Sequence, residues 1–314
     1  MDSVSSRRSF FHFYVSLTGL FALFCFLSFA FISTFLQEIS KGNKENKIYF
    51  LPLLGIALLI AAFYLLIRYH KNTPKIIITE KSIQVNRRFY KLSYIKDVTY
   101  TGRQKFEDML PHYKEAAKIT FTNGDVVFIY DELYENSSEL KMYLDALLNP
   151  EKTVLSRPTS TKINIEGEHF YNYKKPLLFS LTGATFVLFS GFFLCMFIVF
   201  IVLHQHIASC FFLLILLIIY YFMSAQLYYF SINEKYLVVR NHVIFRKKII
   251  YTLNDIKEIV LVPIENRAPN ALRVITNNYK NKRYYAATLY DSDWQKLRDH
   301  LEKEGVNVRN ELYF

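Results

Sequence analysis

The chain has 314 residues, of which 52% are hydrophobic and 17% aromatic, and it still carries a formal net charge of +11. A soluble core does not need its 29 phenylalanines, so the composition argues against an ordinary soluble domain and predicts separate apolar segments. All three cysteines lie in apolar stretches, and no disulfide framework is therefore predicted.

Four apolar segments occur along the chain, and none contains Asp, Glu, Lys or Arg. They run from about Phe10 to Leu36, Ile48 to Ile67, Pro176 to Leu203 and Ile207 to Phe230. Each has at least about 20 residues, enough to cross a hydrocarbon layer of about 30 Å. We predict four transmembrane helices in two hairpins, at 10–70 and 176–228. A cleaved signal peptide is disfavoured for the first segment, which is long and lacks a small-residue cleavage pattern.

The orientation follows from the basic residues beside each span. They flank the hairpin ends at Arg7, Arg8, Arg68, Lys71, Lys75, Lys174 and Lys175. The second hairpin tip, His204-Gln205-His206, has no Lys or Arg, whereas the first tip carries Lys41, Lys44 and Lys47. The flanks outweigh that tip, so we expect a multi-pass protein of a bacterial inner (cytoplasmic) membrane. Both termini, including residues 1–9, are expected in the cytoplasm.

Residues 71–148 are predicted to form a small antiparallel sheet domain closed by a helix. The strand pattern is rich in β-branched and aromatic residues, at Lys75–Thr79, Ile83–Tyr90, Ile95–Tyr100, Lys118–Phe121 and Val126–Tyr130. Asn123-Gly124 between the last two predicts a type I′ hairpin turn. An apolar stripe predicts an amphipathic helix at about Ser137 to Leu148.

A polar linker is expected at 149–175, and residues 229–314 then repeat the first domain. Strands are predicted at Tyr228–Ile232, Tyr236–Asn241, Val243–Thr252, Ile256–Val262, Leu272–Thr276 and Arg283–Thr288. A helix is predicted from about Ser292 to Lys303, with Asp291 or Ser292 as its N-cap. Strands followed by one closing helix indicate an α+β membrane protein with two cytoplasmic sheet domains.

The two halves share sequence in the same order. Ser16-Leu17-Thr18-Gly19 recurs as Ser180-Leu181-Thr182-Gly183, and Leu92–Val98 recurs as Leu253–Ile259. The offsets are far longer than a solenoid repeat, so each copy is a whole module of hairpin plus domain.

This arrangement resembles the bacterial pleckstrin-homology-like membrane proteins, including the bPH and YcxB-like groups. The resemblance rests on consecutive strand hairpins, the Leu-x-x-Ile-Lys-x-[Val/Ile] strand start and the closing helix, and it covers most of both halves. It implies a PH-like sheet capped by a helix. We count five strands in the first copy and six in the second, against seven in a full PH fold. Each domain is then an incomplete barrel, or the two complete each other across an exposed edge.

The sequence offers no enzyme motif. It lacks a nucleophile elbow, a phosphate loop, a Cys-x-x-Cys pair and a His-Glu-x-x-His helix, so we expect no catalytic residues and no cofactor. His204 and His206 make a weak metal site at best, and Asp291-Ser292-Asp293 fits a helix cap better than a calcium loop. We therefore expect no metal.

Transport is the alternative function, with the four helices forming a path as part of a transport or assembly system. The helices have no ionisable residue at mid-membrane, which disfavours coupled transport. The repeated Ser, Thr and Gly, at Ser16, Thr18, Gly19, Ser180, Thr182 and Gly183, are read instead as close helix-packing positions. A path would need them to line water.

The positive charge indicates where binding takes place. The candidate lipid- or partner-binding residues are Arg240, Arg246, Lys247, Lys248, Lys280, Lys282 and Arg283 in the second domain and Arg87 and Arg88 in the first. Each basic residue held at an anionic leaflet contributes about 1 kcal/mol. A solvated basic edge explains the same residues without a ligand. We predict non-enzymatic binding or scaffolding at the membrane surface, through anionic phospholipid headgroups or a protein partner. No nucleic acid is expected, and the second domain is the favoured binding site.

Overall fold

Four helices are long and apolar enough, by length and composition, to cross a membrane in the computed structural model: Phe13–Ser40, Phe50–Asn72, Leu181–Val202 and His206–Ser224. They confirm the four predicted apolar helices and indicate a multi-pass membrane protein. The structure describes residues 3–42, 46–106, 112–150, 165, 167–244, 248–263 and 269–312. The chain divides into two units, Met1–Leu155 and Ser156–Phe314, each with one helix pair.

The hairpin of the first unit consists of α1 (Ser16–Ser40), which continues from a π-helical turn at Phe10–Val15, and α2 (Phe50–Asn72). Small residues let the two helices approach closely. A Cβ placed on Gly55 would lie 3.1 Å from the backbone oxygen of Ser28, which is itself buried. The close contact of this hairpin therefore lies at Gly55 and Ser28, positions that the sequence repeat does not mark.

Two small sheets and one helix complete the first unit. The first sheet has the order β1-β2-β3-β4, from Ser3–Ser5, Ile76–Thr79, Ser82–Val85 and Arg88–Lys91. The second contains β5 (Ile95–Thr99), β6 (Arg103–Phe106), β7 (His112–Phe121) and β8 (Val126–Tyr130). The long β7 pairs with β8 along one edge and with β5 and β6 in series along the other. Helix α3 (Ser137–Leu148) follows.

The first hairpin is inserted between two paired strands of one sheet. β1 precedes α1 and pairs antiparallel with β2, which follows α2, so that Ser3 lies opposite Thr79. Asn136, the residue before α3, accepts a hydrogen bond from the Arg7 backbone N–H at 2.8 Å and donates to the Ser5 carbonyl at 3.0 Å. Residues 3–5 are thus a strand of the domain, where the sequence suggested a simple terminal segment.

The second unit repeats this plan. Its hairpin is α4 (Leu181–Val202) and α5 (His206–Ser224). One sheet has the order β12-β11-β10-β9, from Lys248–Thr252, Tyr236–Asn241, Tyr228–Ile232 and Tyr171–Tyr173. The other has the order β15-β14-β13-β16, from Asn281–Tyr285, Ala271–Thr276, Ile256–Val262 and Val308–Asn310. The closing helix α6 spans Asp291–Lys303.

The second hairpin is also inserted between paired strands, because β9 precedes α4 and pairs with β10 after α5. Tyr173 on β9 donates its hydroxyl proton to the Lys296 carbonyl of α6 at 3.0 Å and lies 3.0 Å from Nδ1 of His300. In both units, therefore, the strand before the hairpin contacts the closing helix. β9 lies inside the segment predicted as a linker.

The repeated sequence motif has the same local structure in both units. Leu92–Tyr94 and Leu253–Asp255 each form one turn of 3₁₀ helix. The strand that follows each turn has one register shift, between Ile95 and Asp97 in β5 and at the equivalent place in β13. The duplication read from the sequence thus extends to the position of a β-bulge.

Each unit has its own apolar core. In the first, buried isoleucines of the strands meet the α3 stripe, at Ile76, Ile78, Ile83, Ile119, Ile129, Leu140 and Leu144. In the second, Phe230 and Leu272 pack in the cluster that contains Trp294, Leu297 and Leu301 of α6. Trp294 is fully buried, and its ring centroid lies 5.9 Å from that of Phe230. The amphipathic stripes predicted for both helices therefore face the cores.

Several details differ from the sequence predictions. The described residues contain eight strands in each unit, instead of five and six, because short strands and the strands before the hairpins were missed. The strand predicted at Ile83–Tyr90 is two strands joined by a turn at Asn86, whose φ is +53°. The N-cap of α6 is Tyr290, whose backbone N–H donates to the Asp293 carboxylate at 3.2 Å.

The predicted β7–β8 hairpin exists, but its turn is of another type. A type I′ turn needs positive φ at both central residues. Only Gly124 has it, at +85°, and Asn123 does not. The Phe121 N–H donates to the Asp125 carbonyl at 2.9 Å, which leaves three residues in the loop with glycine in the left-handed position. This geometry is the common three-residue hairpin loop with a glycine bulge.

Candidate functional site

Two exposed arginines lie at the β3–β4 turn of the first unit, Arg87 within the turn and Arg88 at the start of β4. The preceding Asn86 fixes this turn to the chain that leaves α2. Its N–H donates to the Lys75 carbonyl at 2.7 Å, and its side-chain oxygen accepts the Lys75 N–H at 2.8 Å. The basic turn therefore lies beside the end of a helix that is long and apolar enough to cross a membrane.

Asp125, in the β7–β8 turn, lies beside Arg88. Its carboxylate accepts hydrogen bonds from the Tyr90 hydroxyl at 2.8 Å and from the Asn123 amide at 3.0 Å, and Nη1 of Arg88 lies 3.8 Å away. The Tyr90 hydrogen bond is the main reason that the pKa of Asp125 is lowered, followed by the Asn123 bond. The pKa of Arg88 is raised, mainly by its hydrogen bond to the Tyr90 hydroxyl and the charge of that group, and then by the charge of Asp125. Both groups are thus charged at neutral pH.

These residues form part of a cleft of about 870 Å³ in the first unit. Its basic side chains come from three separate parts of the chain: Lys71 in the last turn of α2, Arg87 and Arg88 in the β3–β4 turn, and Lys105 in β6. The cleft is in the size range of ligand-binding pockets, which is about 300–1,000 Å³. Asp125 also lines the cleft, and its negative charge lies beside Arg88.

The rest of the cleft wall is largely apolar. It is formed by Pro74, Val85, Tyr90, Val126, Val127, Phe128 and Tyr130. Within the described parts of the chain, Lys71 and Arg87 make no ion pair, so their charges face the cleft without a protein carboxylate. A cleft with an excess of cations and an apolar wall suits an anion that also carries apolar or polyol groups.

A series of aromatic contacts connects this cleft to the start of the hairpin. Phe13, fully buried in the π-helical turn, lies 6.3 Å from the Tyr69 ring of α2, and Tyr69 lies 5.3 Å from Phe106 of β6. Phe106 in turn contacts Tyr130 at 5.1 Å, and the Tyr130 hydroxyl donates to the Lys105 carbonyl at 2.8 Å. Edge-to-face ring contacts of this kind pack tightly, which fixes the cleft wall to the hairpin base.

The second unit places its predicted binding residues on two different sheets. Arg240 on β11 lies opposite Lys248 on β12, whereas Lys280 precedes β15 and Lys282 and Arg283 lie within it. Arg283 donates to the Tyr285 hydroxyl at 3.1 Å and is half-buried. Arg246 and Lys247 lie outside the described residues. Of these residues, the structure places Arg240 and Lys248 opposite each other on neighbouring strands. Binding at the second domain stays a prediction.

The two repeated glycines, Gly19 and Gly183, do not mark close helix–helix contacts. A Cβ on Gly19 would have no atom within 4 Å. A Cβ on Gly183 would collide with the Leu177 carbonyl, which belongs to the 3₁₀ turn just before α4 and not to the other helix. Ser180 caps α4 by accepting the Gly183 N–H at 2.9 Å, and Ser16 donates to the Phe11 carbonyl at 3.0 Å. The packing interpretation is therefore wrong for Gly19 and Gly183, while Ser16 and Ser180 form hydrogen bonds to backbone groups near the helix starts.

The histidines at the second hairpin tip have 6.4 Å between their ring centroids. Among the residues that the structure describes, no group of three or more His, Cys, Asp or Glu side chains could hold a metal ion. His204 has a positive φ of +55°, and both histidines are exposed. Nothing at this tip adds a third ligand to the pair.

His242, after β11, is expected to make the second unit sensitive to acid. Burial, and then the charge of Lys174, lower its pKa from 6.5 to about 4. Its ring lies 4.8 Å from Tyr229, and Lys174 lies 4.9 Å from the same tyrosine ring. Because the unfolded state binds the proton more readily, this contribution to stability is fully present above pH 6.5 and is lost as the pH falls towards 4.

The measurement is thermal unfolding of the full chain between pH 7 and pH 4, followed by the fluorescence of Trp294, the one tryptophan. The wild type should lose more stability than His242→Gln over this range, because glutamine takes up no proton. Equal losses in the two proteins would contradict the assignment of the effect to His242.

Sequence reasoning found Arg87 and Arg88 but missed the other half of the cleft. Lys71 was noted only as a flanking charge, and Lys105 was not among the candidate binding residues. Their convergence depends on the pairing of β6 with β7 and on the turn that follows α2, which no local pattern shows.

No protein-family model and no curated protein matches this sequence. The resemblance to the bacterial PH-like proteins therefore stays a prediction. What the chain does has to be argued from the cleft, its charges and its place at the end of a long apolar helix.

Proposed function

We propose that this protein is a non-enzymatic component of a bacterial cytoplasmic membrane that binds anionic phospholipid at the membrane surface. In this proposal the two sheet units are PH-like domains on the cytoplasmic side, held at the bilayer by their hairpins. The tether keeps the local lipid concentration high, so weak individual contacts suffice for binding. The same surface-bound domains act as a scaffold.

The proposed orientation is supported by charge. Arg7 and Arg8 precede the first hairpin, Arg68 and Lys71 lie at its end, and Lys174 and Lys175 precede the second. Cytoplasmic flanks carry such an excess of Lys and Arg. Lys41 at the first tip pairs with Glu38 at 2.9 Å, which reduces its weight as a signal for the opposite orientation. Tyr64, which accepts a hydrogen bond from Arg68 at 2.8 Å, fits the interfacial aromatic belt.

One observation carries the lipid proposal, namely that Lys71, which lines the cleft, directly follows the apolar part of α2. The apolar part of α2 ends at Ile67, and Lys71 follows four residues later, about 6 Å along the helix axis. The headgroup layer on each side of a bilayer is about 5–8 Å thick. A helix that crosses the hydrocarbon thus places Lys71, and the cleft that it lines, within reach of lipid phosphates.

Hydrogen–deuterium exchange of the full chain in nanodiscs tests this function. One sample contains phosphatidylcholine alone and the other adds phosphatidylglycerol. Amides of the β3–β4 turn, at Asn86 to Phe89, should exchange more slowly with the anionic lipid, and high salt should remove the protection. The Glu80-Lys81 turn at the other end of β3 is the internal control. Equal exchange of the Asn86 turn in both nanodiscs would overturn the proposal.

A further inference from the structure

The cleft is too highly charged for a ligand with a single negative charge. Arg88 is paired with Asp125, whereas Lys71 and Arg87 make no ion pair within the described residues, which leaves two positive charges facing the cleft without a protein carboxylate. A phosphodiester headgroup brings one negative charge, whereas a phosphate monoester brings about 1.5–2 at neutral pH. The monoester therefore compensates the cleft better.

The types of basic side chain point the same way. Arginine presents a planar set of donors that can bind two oxygens of one phosphate, and lysine adds a compact charge. Nη1 of Arg88 lies 3.8 Å from the Asp125 carboxylate, which orients this arginine. Asn86 fixes the backbone beside Arg87 through its hydrogen bond with the Lys75 N–H. Two arginines and two lysines on different elements can surround the three terminal oxygens that only a monoester exposes.

The apolar wall favours a lipid over a soluble phosphate. Val126, Val127, Phe128 and Val85 line the cleft together with the cations, and Pro74 lies where the chain leaves α2. A free phosphate would leave this wall in contact with water, whereas the glycerol and first acyl carbons of a lipid would cover it. The volume of about 870 Å³ exceeds what one phosphate needs.

We propose that this cleft selects a phospholipid with a terminal phosphate monoester, the chemistry of phosphatidic acid, from the leaflet that the sheet unit faces. The inference rests on the proposed membrane-surface function and adds to it the class of headgroup. The phosphate contacts Lys71, Arg87, Arg88 and Lys105, and the glycerol end of the lipid lies against the valines and Phe128.

The test is native mass spectrometry of the full chain in detergent, titrated separately with short-chain phosphatidic acid, short-chain phosphatidylglycerol and glycerol 3-phosphate. The cleft variant is Lys71→Gln with Arg87→Gln. The matched control is Lys81→Gln with Lys91→Gln, which removes the same charge from exposed positions of the same sheet outside the cleft. Unligated melting temperatures show that each variant folds.

The inference predicts that phosphatidic acid binds at least about tenfold more tightly than the other two ligands, that the cleft variant loses this preference, and that the control keeps it. Equal binding of phosphatidic acid and phosphatidylglycerol overturns the monoester inference, while protection in anionic nanodiscs would still support surface docking. Glycerol 3-phosphate binding as tightly as phosphatidic acid overturns the lipid as the ligand. An equal loss in both variants overturns the cleft as the site.

Discussion

Lys141→Met is expected to lower the stability of the first unit by about 3–5 kcal/mol. Lys141 on α3 forms an ion pair with Asp131, the residue after β8, and the two side chains are only 1% and 4% exposed. Methionine fills a similar volume but leaves a buried carboxylate without its cation. The cost comes from that uncompensated charge, since Coulomb attraction and desolvation nearly cancel in the intact pair.

Two further variants separate this explanation from a general effect of losing a lysine. Lys81→Met changes an exposed lysine of the same unit and should leave stability nearly unchanged. Adding Asp131→Asn to Lys141→Met removes the orphaned charge and should recover part of the loss. Hydrogen exchange of β7 and β8 in the full chain measures the effect, because the one tryptophan lies in the second unit. Exchange in Lys141→Met as slow as in the wild type would show that the pair is not buried as described.

Gly183→Ala is expected to destabilise the second unit by about 3 kcal/mol. A Cβ at this position would lie 1.9 Å from the Leu177 carbonyl oxygen and 2.8 Å from Oγ of Ser180, which caps α4. The Leu177 oxygen belongs to the backbone, so the 3₁₀ turn at Leu177–Phe179 must move. Tyr290 at the start of α6 donates to the Phe179 carbonyl at 2.7 Å, and the strain would therefore reach the helix that carries Trp294.

Gly19→Ala is the matched control, because Gly19 is the equivalent residue of the first repeat. Nothing lies within 4 Å of its Cβ position, and alanine is the better helix former by about 1 kcal/mol. Thermal unfolding of the full chain followed by circular dichroism, which reports on both units, should show a lower transition for Gly183→Ala only. If the two variants melt alike, the tight turn before α4 is not a feature of the folded protein.

The difference between these two glycines shows what a repeated motif can predict. The four letters Ser-Leu-Thr-Gly are identical in both halves, yet α1 is entered through the π-helical turn at Phe10–Val15 and α4 through a capped 3₁₀ turn. The residues before the motif decide which geometry forms. An identical four-residue sequence therefore predicts a helix start in both repeats but not the role of the glycine.

Hydropathy and the spacing of hydrophobic residues predicted the helices and the longer strands, because these patterns lie within each element's own sequence. β1 and β9 carry no such signal, since Ser3–Ser5 and Tyr171–Tyr173 are three residues each and are stabilised by pairing across a whole hairpin. The lining of the cleft is missed for the same reason. Lys71 and Lys105 belong to elements that meet Arg87 only after the sheets have formed.

The insertion of a hairpin between paired strands gives the bilayer a direct connection to the domain. In the first unit the strands on both sides of the hairpin are neighbours in one sheet, and α3 contacts the first of them through Asn136. This sheet thus connects the domain to both ends of the hairpin. The proposed lipid site requires such a connection, because the cleft has to stay at the depth of the headgroup layer.

The proposed function depends most directly on which side of the membrane the sheet units face. Single cysteines placed in a chain with Cys25, Cys195 and Cys210 changed to serine can be tested in intact bacterial cells with a membrane-impermeant maleimide. In intact cells, we expect labelling of Gln205→Cys at the second hairpin tip. Lys91→Cys in the first unit and Asn307→Cys in the second should be labelled only after the cells are opened. Labelling of Lys91→Cys or Asn307→Cys in intact cells would contradict the proposed function, because the cleft would then face away from the cytoplasmic leaflet.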